Sequence, residues 1–465
     1  MKDRQSSERK TNNRRENIDK NFPVYYSVQR RFVSIGEMSK MKTYRKRVAD
    51  SILLRKLEGK GAVLIEGAKW CGKTTTAEQV ASSILYMDDP EKKEQYLRLS
   101  ELNPKLLLTG SSPRLIDEWQ IAPKLWDAVR FEVDHRGELG QFILTGSAVP
   151  ADTSEITHSG TGRFTWLMMQ PMSLYESGDS SGDVSLKDMF ESRSYIPDGY
   201  SATDFERLAF LICRGGWPQA VGMRDEIALD QAYDYYEAVV HNDINRVDRT
   251  NRNPERVKRL MRSYARHQGT QAANTVIAED IAANDKNGMN VETVASYTAA
   301  LRKIFVIEDM PAWNPNLRSK TAVRSSDTRY FTDPSIAAAA LGIGPGDLID
   351  DLKSFGLLFE SLCVRDLRVY SDALQGSVYH YRDRDGLECD AVVHIRNGSY
   401  GLIEIKLGGE SLIEEGAANL KKLSSKIDTE RMKSPSFLMV MTGTGDYAYR
   451  RADGVYVVPA GCLKN

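Results

Sequence analysis

The stretch GAKWCGKT, Gly67 to Thr74, follows the apolar run AVLIEG and precedes TTTAEQVASSIL. The pattern GxxxxGK[ST] between a strand and a helix constrains the fold more than any other part of the chain. Gly67 and Gly72 let the loop curl so that its amide N–H groups converge, and the start of the next helix adds a positive dipole end. Such a nest of donors suits phosphate oxygens. It also implies a buried parallel strand behind the loop, hence an α/β domain with helices on both faces of a sheet. Gly67, Ala68, Lys69, Trp70, Cys71, Gly72, Lys73, Thr74 and Thr75 form the candidate nucleotide-binding segment. Lys73 is expected to bridge the β- and γ-phosphates of ATP, and Thr74 to ligate Mg²⁺.

Hydrolysis also needs carboxylates near the metal. RLIDEWQ supplies Asp117, expected to hold Mg²⁺ through water, and Glu118, expected to polarise the attacking water. A second apolar run, QFILTGSA, reads as a neighbouring strand whose end offers Thr145, or alternatively Ser147, as a polar sensor. Charge that grows on the γ-phosphate calls for an arginine. Arg163 in SGTGRF and Arg214 in CRGGWP are the candidates, with a structural ion pair as the alternative for each.

A chain of 465 residues exceeds one core and suggests several domains. Residues 1–40 are polar, basic and without apolar periodicity, so a disordered tail is expected. Met38 and Met41 lie where ordered sequence begins, which makes the extension a candidate start-codon artefact. Net charge is −1, so composition alone does not announce a nucleic-acid binder. No apolar run is long enough for a membrane span, and no apolar h-region marks a secretory signal. Five scattered cysteines show neither zinc spacing nor a disulfide framework, which fits a cytoplasmic protein with free thiols. Residues 254–330 read as short helices, then NVETVASYTAALRKIFVIEDMPAW with apolar positions at Val291, Val294, Tyr297, Leu301 and Ile304, then strand-like residues. Helix, turn, helix and strand is the order of a winged helix. Its presumed recognition helix holds Tyr297, Arg302 and Lys303, and its wing holds Arg318, Lys320, Arg324 and Arg329, which are candidate phosphate contacts. From about Asp347 a long amphipathic helix leads into a second α/β segment.

EGAKWCGKTTTA, PRLIDEWQIAPKLWDAVRFEVD, FILTGSA, HSGTGRF, PMSLYESG and RGGWPQAV occur in that order. Together they resemble a group of bacterial and archaeal AAA+-like ATPases with a C-terminal domain of unknown function. The resemblance runs from about Met41 to the end. Family members commonly carry proline after the first loop glycine, where this chain has Ala68; backbone N–H groups bind the phosphate, so binding is expected to survive. The resemblance implies an AAA+ P-loop domain (41–170), a helical lid (171–250), a winged-helix-like domain (251–345) and a restriction-endonuclease-like α/β domain similar to PD-(D/E)xK nucleases (346–465). It also implies a homo-oligomer built through the AAA+ domain, in which an arginine finger couples hydrolysis to assembly.

The last of these domains turns on GLIEIKLGG. In a strand Ile403, Ile405 and Leu407 share one face, and Glu404 and Lys406 the other. In LECDAVVHI the residues Leu387, Cys389, Ala391, Val393 and Ile395 are expected to form an apolar face, with Glu388 and Asp390 opposite. Neighbouring strands would then gather Asp390, Glu404 and Lys406. Two carboxylates can hold Mg²⁺, and a lysine can orient water and offset phosphate charge. Glu360, in LLFESLCVRDL, matches the helix acid of part of the nuclease superfamily. An exposed salt bridge on a sheet face is the plainer alternative. Two functions therefore stand open. One is an ATPase that acts on DNA through a Mg²⁺-dependent nuclease-like domain. The other is a nucleotide switch or scaffold whose nuclease-like domain binds DNA or protein without cutting.

Overall fold

The computed structural model describes residues 44–147, 158–192, 194–247, 250–284, 288–314, 326–430 and 432–465. The expected tail (1–40) with Met38 and Met41, and the wing residues Arg318, Lys320 and Arg324, lie outside these.

Helix α1 (Val48–Gly59) leads into strand β1 (Ala62–Glu66), and helix α2 (Lys73–Glu78) follows the glycine loop. Strands β2 (Ser83–Tyr86), β3 (Arg114–Asp117), β4 (Phe142–Gly146) and β5 (Phe164–Met168) complete a five-stranded sheet in the order β2-β3-β4-β1-β5, parallel throughout. The expected α/β layers are present. Alternate residues of β1 enter different cores, Val63 and Ile65 on one face, Ala62 and Leu64 on the other. The helix expected across TTTAEQVASSIL stops at Glu78, because Ser83–Tyr86 instead pairs with β3.

Residues 171–250, expected as a helical lid, are largely helical only from Phe205 to Arg246. Before that, β6 (Val184–Ser185) and β7 (Gly199–Tyr200) pair with strands near the C-terminus. Three helices follow, Pro254–Arg266, Asn274–Asn284 and Val291–Lys303, then antiparallel bridges Ile307 to Phe331 and Met310 to Thr328. The side chains proposed there for phosphate contact are mostly committed elsewhere. Tyr297 is buried under Arg252, and Arg302 is ion-paired with Asp309. Arg329 is buried against the Ala272 carbonyl and Asn274, whereas Lys303 is exposed. Val291, expected in the apolar stripe, is also exposed.

The long helix Leu352–Ala373 starts at the Asp351 cap, whose carboxylate accepts the Lys353 and Ser354 N–H groups. Sequence spacing suggests an amphipathic helix, yet every residue from Ser361 to Ser371 is buried. It packs against both α1 and the second sheet, which closes over its outer face. That sheet holds β8 (Gly376–Arg382), β9 (Glu388–Ile395), β10 (Tyr400–Lys406), β11 (Phe437–Thr442), β12 (Tyr447–Arg450) and β13 (Tyr456–Pro459), in the order β7-β12-β13-β11-β10-β9-β8. β8, β9 and β10 are antiparallel, and the helix Glu410–Lys426 carries the chain across to β11, parallel to β10. Strand β14 (Leu463–Lys464) pairs with β6. Described residues from Arg45 onward form one compact unit, and one apolar core runs from Val48 to Leu463. The boundaries expected at 170, 250 and 345 fall inside it.

Burial all round the long helix forces its polar residues to find partners. The Arg365 guanidinium donates to Asp333 Oδ2 at 2.9 Å and to Asp366 Oδ1 at 2.7 Å. Asp366 Oδ2 accepts the Leu174 N–H, and Asp333 Oδ2 accepts the Gly216 N–H, each at 2.9 Å. At Gly215 (φ 72°) any Cβ would sit 2.4 Å from Asp333 Oδ1, and at Gly216 it would sit 2.2 Å from the Met172 carbonyl oxygen. The glycines of RGGWP are therefore packing requirements.

Replacing Arg365 with Met leaves two buried aspartates without their counter-charge. Urea unfolding of the full chain is expected to show a loss of about 3–5 kcal/mol; a change within the error of the measurement would deny the network its role.

Candidate functional site

The glycine loop closes over the C-terminal end of β1. Gly67 has φ 146°, and a Cβ there would lie 2.2 Å from the Met169 carbonyl oxygen, so only glycine fits. Gly72 has φ 101° and turns the chain into α2. Lys73 Nζ donates to the carbonyls of Gly67 (2.9 Å) and Ala68 (2.8 Å), which holds the ammonium inside the loop it serves. Buried Ala68 and Cys71 seat the loop on the core, while Trp70 is exposed.

Parallel pairing sets β3 and β4 beside β1 in register, with Thr145 opposite both Ile65 and Asp117. Asp117 Oδ1 accepts from Thr74 Oγ1 at 2.7 Å and from Thr145 Oγ1 at 2.5 Å. Glu118 turns out of β3 through the left-handed region, φ 54°, and its carboxylate accepts from Gln120 Nε2 and from Ser147 Oγ at 3.3 Å. Burial raises the Glu118 carboxyl above its ordinary value, opposed by the Lys73 ammonium and reinforced by Asp117. The two sensor candidates thus divide the work: Thr145 holds Asp117 and Ser147 holds Glu118. Thr74 and Asp117, a hydroxyl and a carboxylate already in contact beside the phosphate loop, suit Mg²⁺, which keeps several waters and takes few protein oxygens.

The arginine candidates do not join this group within the chain. Arg163 precedes β5, whose Phe164 aligns with Ala62, so it sits at the end of the sheet opposite the loop. There it is exposed and ion-paired to Asp134 at 2.7 Å. Arg214 is buried and ion-paired to Asp179 at 2.8 Å.

Three residues not singled out by sequence, Arg47, Asp243 and Gln120, do reach the site. Arg47 is buried and donates to the carbonyls of Cys71 (2.7 Å) and Gln170 (2.8 Å), while its Nε meets Glu176 at 3.1 Å. Lys69 in the loop is ion-paired at 2.5 Å to Asp243, in the π-helical turn Val239–Asp243. Gln120 orients Glu118. Only Gln120 carried a local signal, as a polar side chain two residues beyond the acid.

A second cluster lies at the ends of β9 and β10. The single apolar face expected for LECDAVVHI does not form. Leu387, Cys389 and Val392 enter one core, and Ala391 and Val393 the other. The register against β8 slips by one residue, from Tyr379–Val392 to Tyr381–Cys389, so β9 carries a bulge at Asp390–Ala391. Asp390 is freed from the ladder, and its Oδ2 accepts the Ile405 N–H at 2.7 Å. Lys406 Nζ lies 3.5 Å from that oxygen and 2.7 Å from Glu404 Oε2, and Asn419 donates to Glu404 Oε1 at 2.7 Å. Asp390, Glu404 and Lys406 are therefore brought together. The ion pair that was the plainer alternative is present, but it is not a fully exposed one, since Glu404 is 3% exposed. Among the described residues no group of three or more His, Cys, Asp or Glu side chains is close enough to hold a metal ion. Asp390 and Glu404 as a pair, with water and phosphate, are what could do so.

Glu360, on the long helix, accepts from the Tyr330 hydroxyl. Burial pushes its carboxyl up to about 8, and Asp390 adds to the rise. Burial pushes Glu404 up to about 7, reinforced by Asp390 and opposed by Lys406. Burial works to lower Lys406, yet Asp390 and Glu404 outweigh it and the ammonium is held raised.

Residues 59–177 match an AAA domain family. Residues 205–347 and 355–463 match two domains of unknown function, DUF8612 and DUF4143. Uncharacterized proteins of Mycobacterium bovis and Mycobacterium tuberculosis are each 23% identical over 428 residues, covering 89% of this chain and 83% of the relative. A Walker-type ATPase of Pyrococcus abyssi aligns in structure with a TM-score of 0.39 at 14% identity, covering 64% of this chain and 96% of that one. The AAA match spans the glycine loop, β3 and β4, and with the geometry above it makes this part of the chain a P-loop ATPase domain. No helix among the described residues is long and apolar enough to cross a membrane.

The shift at Glu360 has a measurable consequence. Folded, the carboxyl stays protonated up to about pH 8; unfolded, it ionises near 4.5. The folded state holds the extra proton across that window, so this group's contribution to stability is lost as pH rises through it. Glu360→Gln keeps an oxygen for Tyr330 but cannot ionise. Its melting temperature relative to the parent is expected to rise between about pH 5.5 and about pH 8.5; a constant difference would mean Glu360 ionises normally.

Proposed function

We propose that this chain hydrolyses ATP in its P-loop domain and uses that cycle to control Mg²⁺-dependent cleavage of DNA at the cluster around Asp390, Glu404 and Lys406. The observation that carries the ATPase half is the convergence of Lys73, Thr74, Asp117, Glu118 and Thr145 on the ends of three adjacent strands. Lys73 meets the phosphates, and Thr74 and Asp117 hold the metal. Glu118, aimed by Gln120 and Ser147, polarises the attacking water. Growing negative charge on the γ-phosphate needs a cation from outside this group. Arg163, exposed at the far end of the sheet, suits delivery to a neighbouring copy in a homo-oligomer.

Support for the nuclease half is topological and chemical. A helix bearing Glu360 precedes three antiparallel strands, a crossover helix and a parallel strand, and the acid-x-Lys segment ends the third of those strands. This order, with Asp390 on the second strand, fits a PD-(D/E)xK core. Asp390 and Glu404 supply two oxygen donors for Mg²⁺, which would polarise the scissile phosphate when bound. Lys406, held protonated by both acids, offsets charge on the phosphate; it is not free to act as a base. The three helices Pro254–Arg266, Asn274–Asn284 and Val291–Lys303, with their antiparallel bridges, fit a winged helix beside this site.

One observation favours a second reading, a nucleotide switch without cleavage. The Lys406 ammonium already bridges both carboxylates, and a metal there must displace or share it.

Two measurements test the two halves, and the second separates the readings. Glu118→Gln is expected to keep binding of a fluorescent ATP analogue while turnover falls at least about 100-fold. On plasmid and branched DNA with Mg²⁺ and ATP, the parent is expected to cut, and Asp390→Ala and Lys406→Ala to cut at least about 100-fold more slowly with ATP turnover retained. A folded, ATP-hydrolysing parent that cuts no DNA would establish the switch.

A further inference from the structure

A cleft of about 1400 Å³ is lined by residues of both sheets, none of them a member of the two sites described above. One wall is β5, the last strand of its sheet, with one face of α1; the other is β8, the last strand of its own sheet, with the end of β9. From Asp390 to His394 is four residues of strand, about 13 Å, so the cleft and the carboxylate cluster share β9 without overlapping.

Its lining is strongly basic in a chain of net charge −1. Arg55, Lys56, Lys60, Arg396 and Lys433 face it, against one acid, Asp372. Lys56 lies on α1 and Lys60 just past its C-terminal end, and Arg396 and Lys433 come from the opposite wall. Among the described residues none of the five is within ion-pair distance of a carboxylate. Their hydrogen bonds go to neutral oxygens: Lys56 to Thr165 Oγ1 (3.3 Å), Lys60 to the Gly162 carbonyl (3.1 Å) and Lys433 to the Asn397 carbonyl (2.9 Å). Burial lowers the Lys56 ammonium, and the nearby Arg396 and Arg55 lower it further. Asp372 is pushed up to about 7, first by burial and then by Glu308. Asp372 partly offsets Lys56, but five cations face this one carboxylate, and an anion from outside would offset the rest of their mutual repulsion.

The lining also carries rings. Trp166, on the outer edge of β5, is 46% exposed, and Tyr379 and His394 lie on the opposite wall. A groove of cations with an exposed Trp166 on one wall and half-buried Tyr379 and His394 on the other suits a strand whose phosphates and unpaired bases are both accessible. Duplex DNA keeps its base faces stacked inside and cannot use the rings.

We propose that this cleft binds single-stranded nucleic acid, its phosphates against Arg55, Lys56, Lys60, Arg396 and Lys433 and its bases against Trp166 and Tyr379. The strand runs between the P-loop domain and the C-terminal sheet, so it contacts both halves of the chain at once. The site is separate from the carboxylate cluster and requires no cleavage.

The test is fluorescence anisotropy of labelled oligothymidylate with the full chain in EDTA, across a salt series. With all five cations engaged, log K against log[salt] is expected to slope at about −3.5. Arg396→Glu combined with Lys433→Glu, both exposed residues, should weaken binding at least tenfold and flatten the slope by about 1.4. Trp166→Ala should weaken it on the order of tenfold with the slope unchanged. A duplex of equal length should bind less tightly than the single strand. Matching circular-dichroism melts establish that the variants are folded. No binding by the parent at low salt, parent-like affinity in the variants, or equal affinity for duplex would overturn the proposal. Binding is read without cleavage, so a failure of the nuclease assignment leaves this result intact.

Discussion

The ion network around Arg365 is the constraint on which the rest of the molecule depends. Taking three charges out of water costs several kcal/mol each, and their mutual attraction offsets this only when the remaining hydrogen-bonding positions are filled. Here they are filled from distant parts of the chain. Leu174 lies just beyond β5 of the P-loop domain, and Gly216 belongs to the turn after the helix Phe205–Arg214. Asp333 follows the antiparallel bridges, and Arg365 and Asp366 lie on the long helix that precedes the second sheet. An apolar substitute of the same volume could match the stability; it could not specify which segments meet. The network thus acts on register, and it ties together segments from either side of the boundaries expected at 170, 250 and 345.

The same frame reaches the nucleotide loop. Arg47 holds the Cys71 carbonyl from below, and Glu176 holds Arg47. Glu176 also accepts the Ser173 N–H, next to the Leu174 N–H that Asp366 takes. On the other flank Lys69 is tied to Asp243 in the π-helical turn. A change in the loop would therefore push on two elements at once, one toward the long helix and one toward the three-helix region. These are the contacts through which coupling between the loop and those two elements would pass.

What was legible in the sequence was what is local. The phosphate loop is recognisable because its chemistry is backbone geometry within eight residues, and Asp117 and Glu118 because they are adjacent. Their β-strands read correctly because both faces are buried and the runs are apolar. Arg47 and Asp243 were invisible because they reach the loop across 24 and 174 residues. The helix after the loop was overextended, since SSIL satisfies an amphipathic pattern as well as a strand and only pairing with β3 decides. Glu404 and Lys406 were placed on one face by simple alternation, and Gly416 packs against both. The division of LECDAVVHI between two cores was not legible, because one extra residue in β9 reverses every side chain beyond it.

That reversal bears on what the C-terminal cluster is for. Glu404 and Lys406 face the crossover helix, where a Cβ on Gly416 would stand 3.3 Å from Glu404 Cβ. Glu360 approaches from the long helix on the other side of the sheet, as Phe359 and Leu362 pack with Ile403 and Ile405. Asp390 sits between them at the bulge, with the Ile405 N–H bound by its side chain. A bulge weakens a ladder, a glycine in a helix costs about 0.5–1 kcal/mol relative to alanine, and buried carboxylates held above their ordinary range oppose folding near neutral pH. A salt bridge serving stability needs none of these. Three local penalties gathered on one cluster fit the proposed site, whose side chains must be aimed at the same end of a sheet, and stability elsewhere, in the buried helix and its arginine, offsets them.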